Sequence, residues 1–215
     1  MNNEPEKTMQ TDRDRLRQLV DELSLIMGEN MTLSTGTRSS FYFDCKKTTL
    51  NGEALSLTAD AFLHEINKLP VIPTAIGGLA LGADPIVAAV VLRAFQLGHP
   101  TINGSIARKE PKKHGTMQYV ENDMPRGTKV VVVDDVITTG NSTATACDRL
   151  LEAGYDVVGI VALIDRESGG VEKLSTKYGC PVLSIFKKSD FQRIAEHVAE
   201  ETPHVRVESK AAVFA

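Results

Sequence analysis

The clearest structural signal in this sequence is VVVVDDVITTGNST, residues 130–143. Its four consecutive valines show no alternation with polar residues, which is typical of a strand buried on both faces of a parallel sheet. Asp134 and Asp135 end this strand, and a loop of hydroxyl residues around Gly140 follows them. In open parallel sheets, ligands bind beyond the carboxyl ends of the strands. The stretch therefore predicts both a core strand and a ligand site at its end.

Apolar stretches that alternate with helical patterns predict the rest of this sheet. The further predicted strands are PTAIGG (73–78), TINGSIA (101–107), DVVGIVALI (156–164) and PVLSIF (181–186). The predicted helices are 84–97, with Asp84 as the N-cap, and 142–153, 171–178 and 189–201. Such alternation favours an α/β fold, a doubly wound and mostly parallel sheet with helices on both faces.

The N-terminal part of the chain is expected to form a small cap on that sheet. Its predicted elements are a helix over residues 11–27 that Gly28 ends, a strand-like SFYFDC at 40–45, and a helix over 53–68. The predicted organisation is a disordered tail over 1–10 and a single domain over 11–215, made of the cap (11–69) and the α/β core (70–215).

Composition argues against several classes of protein. The formal net charge of −4 and the 42% of apolar residues are those of an ordinary globular chain, not of a nucleic-acid-binding protein. The N-terminus lacks the apolar segment of a signal peptide, and no stretch is long and apolar enough for a membrane span. The three cysteines form no C-x-x-C pair, which indicates reduced thiols in a cytoplasmic protein.

The loop after the two acids is suited to a phosphate group. A helix is predicted to begin near Thr143, and a helix N-terminus presents unpaired amide groups and partial positive charge. Hydroxyl side chains between the strand and that helix add hydrogen-bond donors, and Gly140 allows a tight turn. The acids would repel a bare phosphate but would accept hydrogen bonds from sugar hydroxyls. A ribose phosphate therefore fits both halves, and a loop that only caps the helix is the alternative.

This stretch resembles the phosphoribosyl-diphosphate-binding signature of the type I phosphoribosyltransferases: a hydrophobic strand, two acids and a Thr/Gly/Ser loop. The resemblance implies the fold of that family and a site for phosphoribosyl diphosphate. The implied site residues in this stretch are Asp134, Asp135, Val136, Ile137, Thr138, Thr139, Gly140, Asn141 and Ser142. The signature does not select the base to which the ribose phosphate is transferred.

A basic segment, RKEPKKHG at residues 108–115, indicates that base. It resembles the catalytic loop of the orotate phosphoribosyltransferases, R-K-x-x-K-x-H-G. The positions that fill the pattern are Arg108, Lys109, Lys112 and His114. The resemblance implies that they bind phosphoribosyl diphosphate and stabilise the departing diphosphate. It also implies a homodimer, because this loop reaches the neighbouring subunit's site in that family; a solvated loop is the alternative.

Two more segments resemble the parts of that family that hold orotate. FYF at 41–43 is similar to the aromatic stretch that frames the ring, and ALIDRESGG at 162–170 to the segment whose arginine contacts it. The implied orotate-binding residues are Phe41, Tyr42, Phe43, Thr138 and Arg166. The implied reaction joins orotate to phosphoribosyl diphosphate in pyrimidine biosynthesis, giving orotidine 5′-phosphate and diphosphate.

The implied cofactor is Mg²⁺, held through the substrates. No direct protein ligand is expected, and Asp134 and Asp135 are expected to contact it through water. Transfer to another nucleobase, or a non-catalytic regulator that senses phosphoribosyl diphosphate on the same fold, are the alternative functions.

Two positions depart from the family pattern. Ser34 and Leu81 stand where some members carry lysines, so those two roles are not transferred to this chain. Lys46 or Lys47 could supply the missing charge, or this subgroup uses fewer cations.

Overall fold

The computed structural model describes residues 4–32, 38–99, 102–111 and 119–201, and the centre of this part is a six-stranded sheet. The strands are β1 (Leu25–Thr32), β2 (Arg38–Phe43), β3 (Ala75–Leu79), β4 (Asn103–Ala107), β5 (Val120–Glu121), β6 (Lys129–Ile137), β7 (Asp156–Asp165) and β8 (Val182–Lys187). The helices are α1 (Glu4–Leu23), α2 (Lys46–Thr49), α3 (Gly52–Ile66), α4 (Asp84–Gln96), α5 (Asn141–Glu152), α6 (Gly170–Tyr178) and α7 (Gln192–Glu201), with a 3-10 turn at Lys188–Asp190.

The sheet confirms the predicted parallel architecture. Its strand order is β5-β4-β3-β6-β7-β8, and neighbouring strands are parallel except for β4 and β5. The sequence did not predict β5, because two residues are too few to show a period. β5 pairs Val120 with Ala107, the residue that directly precedes the basic segment.

The valines of β6 show how both faces of the sheet are covered. Val131 and Val133 belong to the same core cluster as Phe62 of α3, whereas Val130 and Val132 belong to a second cluster that includes side chains of α5. All four valines are fully buried. Because successive residues of a strand point to opposite faces, a doubly covered sheet requires an uninterrupted apolar run.

The N-terminal helix differs from its predicted bounds at both ends. α1 begins at Glu4, so residues 4–10 are helical where a disordered tail was predicted. A proline at position 5 is compatible with a first turn, where its missing amide hydrogen would be unpaired in any case. At the other end, Leu25 and Met27 lie in β1 and pair with residues of β2, and Gly28 does not cap the helix. A short apolar run does not distinguish helix from strand, and pairing with FYF favoured the strand.

The start of α4 also corrects a prediction. Ala83, not Asp84, occupies the N-cap position, and Asp84 lies in the first turn. An acid there is favourable because it faces the positive end of the helix dipole.

Cys45, Cys147 and Cys180 are buried thiols that form no disulfide. Among the residues the structure describes, no helix has the length and hydrophobicity needed to cross a bilayer.

Candidate active site

A buried carboxyl group lies in the last half of β6, three residues before the strand ends at Ile137. Asp134 is only 5% exposed, and its Oδ2 accepts a hydrogen bond of 2.5 Å from Thr143 Oγ1 in α5. Its Oδ1 accepts from the amide of Asp135 at 3.0 Å. Burial, with the neighbouring charge of Asp135 as a further cause, raises the pKa of Asp134 to about 7. The sequence predicted this acid but not its partner Thr143, since a threonine inside a helix gives no local signal.

Asp135 lies beside the turn of residues 80–83 that joins β3 to α4, called the glycine-rich turn below because two glycines of β3 precede it. Its Oδ1 accepts from the amide of Val136 at 2.8 Å. A Cβ atom at Gly82 would lie 3.0 Å from the same oxygen, so a larger residue at this position would push against the Asp135 carboxylate. The turn also contains a cis peptide bond between Ala80 and Leu81. The acids predicted from one strand thus meet a second loop, at the ends of neighbouring strands.

The loop from Thr138 to Ser142 leads directly into α5. Gly140 occupies the N-cap position with φ +76°, a left-handed conformation that glycine adopts without strain. Gly140 has no side chain to cover the first-turn amides, so an anion can accept hydrogen bonds from them. Thr138 and Thr139 are half-buried, whereas Asn141 and Ser142 are exposed. This is the geometry expected of the predicted phosphate loop.

The start of α6 packs tightly under this loop, which the sequence did not predict. A Cβ atom at Gly170 would lie 2.7 Å from Ile137 Cγ2 and 2.9 Å from the amide nitrogen of Gly140. Lys173 Nζ donates to Asn141 Oδ1 at 2.7 Å. The start of α6 therefore packs against the loop and holds it in place. The Gly-Gly pair at 169–170 was the sequence signal that could have predicted this close packing.

Arg166 lies beside the same loop, directly after β7. Its amide donates to the carbonyl oxygen of Ile137 at 2.9 Å. Its guanidinium is stacked on Phe41, 4.4 Å from the ring centre, and its Nη2 donates to Ser39 Oγ at 3.1 Å. Arg166 is 7% exposed, and burial lowers its pKa. Its Nε is buried and has no hydrogen-bond partner, so the side chain retains a donor for an acceptor that the described residues do not supply.

The three aromatic residues of β2 do not form one wall. Phe43 is buried in the core with its ring centre 5.1 Å from that of Phe191, and Phe41 lies under Arg166. Tyr42 is 38% exposed, because alternate residues of a strand face opposite sides. Of the three aromatic residues predicted to contact orotate, Phe41 is therefore the one on whose ring Arg166 is stacked.

The first residues of the basic segment face the turn that follows β3. Arg108 Nη1 forms an ion pair of 2.8 Å with Glu121 Oε1, and the amide of Arg108 donates to the carbonyl of Tyr119. Arg108 and Lys109 line a cavity of about 590 Å³ together with Leu81 of the turn. Lys112 and His114 lie outside the described residues. The structure thus places the first two predicted cations opposite the turn that meets Asp135.

The proposed substitutes for the missing lysines lie on α2. Lys46 and Lys47 are exposed, and Lys46 Nζ is 3.6 Å from Asp44 Oδ1. Leu81 is itself 75% exposed, and Ser34 lies outside the described residues.

Known proteins that resemble this chain identify its family. A phosphoribosyl transferase domain model matches residues 58–200. The orotate phosphoribosyltransferase of Leptospira biflexa is 44% identical over 160 residues, which are 74% of this chain and 85% of that protein. This chain belongs to the orotate phosphoribosyltransferases.

Other members of the family agree over most of the chain. The orotate phosphoribosyltransferase of Aquifex aeolicus is 36% identical and covers 83% of this chain and 97% of its own length. The Mycobacterium tuberculosis orotate phosphoribosyltransferase in complex with phosphoribosyl diphosphate superposes with a TM-score of 0.66 at 30% identity, over 83% of this chain and 98% of that one. The adenine phosphoribosyltransferase of Leishmania tarentolae, at 17% identity and a TM-score of 0.59, shares the fold alone. The predicted fold class is confirmed.

Proposed function

We propose that this chain transfers the ribose 5-phosphate of phosphoribosyl diphosphate to orotate, giving orotidine 5′-phosphate and diphosphate, a step of pyrimidine biosynthesis. The observation that carries the proposal is the buried guanidinium of Arg166, which lies on Phe41 and beside the loop after β6. Its unpaired Nε would be satisfied by an acceptor on a planar, anionic base such as orotate, which removes the cost of a buried donor left unbonded.

The ribose phosphate would lie along the carboxyl end of β6. The amides and hydroxyls of residues 138–142 bind the 5′-phosphate, and Asp134 and Asp135 accept hydrogen bonds from the ribose hydroxyls. Val136 and Ile137 supply the backbone between these two groups, and Thr138 also borders the base. The bond from the anomeric carbon to the diphosphate breaks as positive charge develops on the ribose. Positioning and charge stabilisation therefore carry the reaction, and no protein nucleophile is needed.

The departing diphosphate would be stabilised by the basic segment. Arg108 and Lys109 line the cavity beside the glycine-rich turn, and the sequence pattern adds Lys112 and His114 to the same role. Cations near departing phosphate oxygens lower the energy of the transition state more than that of the bound substrate.

Mg²⁺ suits this site through the substrates. Within the described ranges, no group of three or more His, Cys, Asp or Glu side chains could hold a metal ion. The acids at the end of β6 are a pair with hard oxygen donors, which would hold the ion through water while substrate oxygens complete its shell. When bound, Mg²⁺ neutralises charge on the diphosphate.

A homodimer is the proposed assembly. Leu92 and Phe95 lie three residues apart on one face of α4 and are 59% and 64% exposed. Large apolar side chains grouped on a surface are typical of interfaces, and a second copy of the chain would cover them. The three buried thiols suit a reducing compartment, so we place the enzyme in the cytoplasm.

The proposal is tested by following the loss of orotate absorbance when phosphoribosyl diphosphate and Mg²⁺ are added. Adenine, hypoxanthine and uracil serve as alternative acceptors. We expect turnover with orotate alone. Transfer to a purine or to uracil without transfer to orotate would refute the proposed acceptor, and binding of phosphoribosyl diphosphate without any transfer would favour a sensing protein.

A further inference from the structure

The residue after Arg166 has an unusual backbone conformation that its side chain holds in place. Glu167 has φ +53°, in the left-handed region that non-glycine residues seldom adopt. Its carboxylate accepts two hydrogen bonds from Ser189, one from the amide at 3.0 Å and one from Oγ at 3.2 Å. The conformation costs free energy, and these bonds to the 3-10 turn after β8 offset it.

The turn that carries Arg166 is closed on itself as well. The amide of Glu167 donates to Asp165 Oδ1 at 2.8 Å, and Ser168 Oγ donates to the carbonyl oxygen of Arg166 at 3.3 Å. On its other side, the Arg166 amide donates to the carbonyl oxygen of Ile137, the last residue of β6. The backbone around Arg166 is therefore fixed on two sides. The Arg166 amide is hydrogen-bonded to β6, and Glu167 is hydrogen-bonded to the turn after β8.

We propose that Glu167 is a positioning residue that aims the Arg166 guanidinium at the base, through its bonds to Ser189. This inference rests on the proposed function of Arg166. If the Glu167 attachment is lost, the phosphate side of the turn stays fixed by Ile137, while the direction in which Arg166 leaves the backbone becomes variable. Binding of the base is then weakened, and binding of the ribose phosphate is not.

Two substitutions at Glu167 separate the effect of losing the hydrogen bonds to Ser189 from the effects of lost charge and of backbone strain. Glu167→Asn tolerates the left-handed conformation but is too short to reach Ser189. Glu167→Gln keeps the length and can still bond both groups of Ser189, since its amide carbonyl accepts and its NH₂ group donates. Both remove the same negative charge, so a difference between them reports the attachment. Glu172→Gln, at an exposed glutamate of α6, is the matched control.

The experiment measures the KM values for orotate and for phosphoribosyl diphosphate, together with the thermal midpoint. For Glu167→Asn we expect the orotate KM to rise roughly three- to tenfold, the size of one or two lost hydrogen bonds. We expect the phosphoribosyl diphosphate KM and the thermal midpoint to stay close to those of the Glu172→Gln control. Glu167→Gln should restore the orotate KM to within about twofold of the wild-type chain.

Three outcomes would overturn the inference. The first is an unchanged orotate KM in Glu167→Asn. The second is a parallel rise of both KM values with a lowered midpoint, which would mean a structural role only. The third is equal behaviour of the Asn and Gln variants. Failure of the proposed function is distinguished by the wild-type chain itself, which would then bind neither orotate nor orotidine 5′-phosphate in calorimetry.

Discussion

At the residue scale, Asp134 combines a buried position with an ionisable group, and we propose that this group accepts hydrogen bonds from the ribose. Its pKa of about 7, against an ordinary value of 3.8, means that the native state binds a proton on this carboxyl group more tightly than the unfolded chain does. The bond from Thr143 acts in the opposite direction, because it stabilises the carboxylate. A ligand that offers hydroxyl donors would add further hydrogen bonds to this carboxylate and stabilise its charged form.

This raised pKa predicts a particular pH dependence of stability. Between the unfolded and folded pKa values, the native state holds a proton that the unfolded state has lost. The free energy of unfolding therefore falls as pH rises through this window, by up to about 1.4 kcal/mol per pH unit from this group. Asp134→Asn should remove the contribution. Urea denaturation of both proteins at pH 5, 6 and 7 measures it, and parallel stability curves would contradict the assignment.

The site residues were predictable to different degrees, for physical reasons. Asp134 and Asp135 were predicted to end β6, but the strand continues to Ile137, because Val136 and Ile137 still pair with β7. The sequence alone placed the acids near the carboxyl end of the sheet, two or three residues before the strand ends. Arg166 was implied only by resemblance, because its partner Ser39 lies 127 residues away and no local pattern joins them. Thr143 was missed because a helical threonine has many ordinary roles.

At the element scale, close packing between α6 and the phosphate loop leads to a prediction about Gly170. Its φ is not in the left-handed region, so alanine is excluded only by space. Gly170→Ala would press a methyl group against Ile137 and the Gly140 amide, at 2.7 and 2.9 Å. We expect a loss of about 1–3 kcal/mol in the free energy of unfolding, as for other overpacked sites, and a raised KM for phosphoribosyl diphosphate.

The matched control is Gly52→Ala. A Cβ atom at Gly52, the first residue of α3, has no neighbour within 4 Å. Denaturation and initial-rate kinetics of the two variants measure the difference. Equal stability of both would show that the loop moves aside without cost.

The basic segment gives a second prediction at this scale. Lys109→Ala should lower kcat ten- to a hundredfold, since a charge-assisted hydrogen bond contributes about 1.5–3 kcal/mol. Stability should hardly change, because Lys109 is exposed. Lys68→Ala, at an exposed lysine after α3 that pairs with Glu65, is the control. Near-normal turnover in Lys109→Ala, measured with saturating substrates, would remove this residue from the proposed mechanism.

The elements themselves were predictable where the chain carries a long periodic pattern. The strands of the parallel sheet were predictable from short apolar runs, and α3, α5 and α6 from apolar residues that recur at helical spacing. β1 and β5 do not, because each depends on a partner strand that only the folded chain supplies. The end of α1 was misplaced for the same reason.

At the scale of the whole molecule, the exposed apolar face of α4 and the basic segment point to the same proposal. A shared site requires that Lys112 in the basic segment of one subunit act at the phosphate loop of the other. Two inactive variants can then complement each other: Lys112→Ala in the basic segment, and Thr139→Asp, whose added charge would repel the 5′-phosphate.

Mixing these variants tests the shared site. Random exchange of subunits gives half mixed dimers, each with one intact site, so we expect the mixture to regain about a quarter of wild-type activity. Adding Phe95→Asp to both variants should abolish the rescue, because a charge on the exposed face of α4 would prevent the dimer from forming. Light scattering establishes whether mixed dimers are present. Mixed dimers without recovered activity would mean that each subunit contains a complete site, and that the basic segment acts within its own chain.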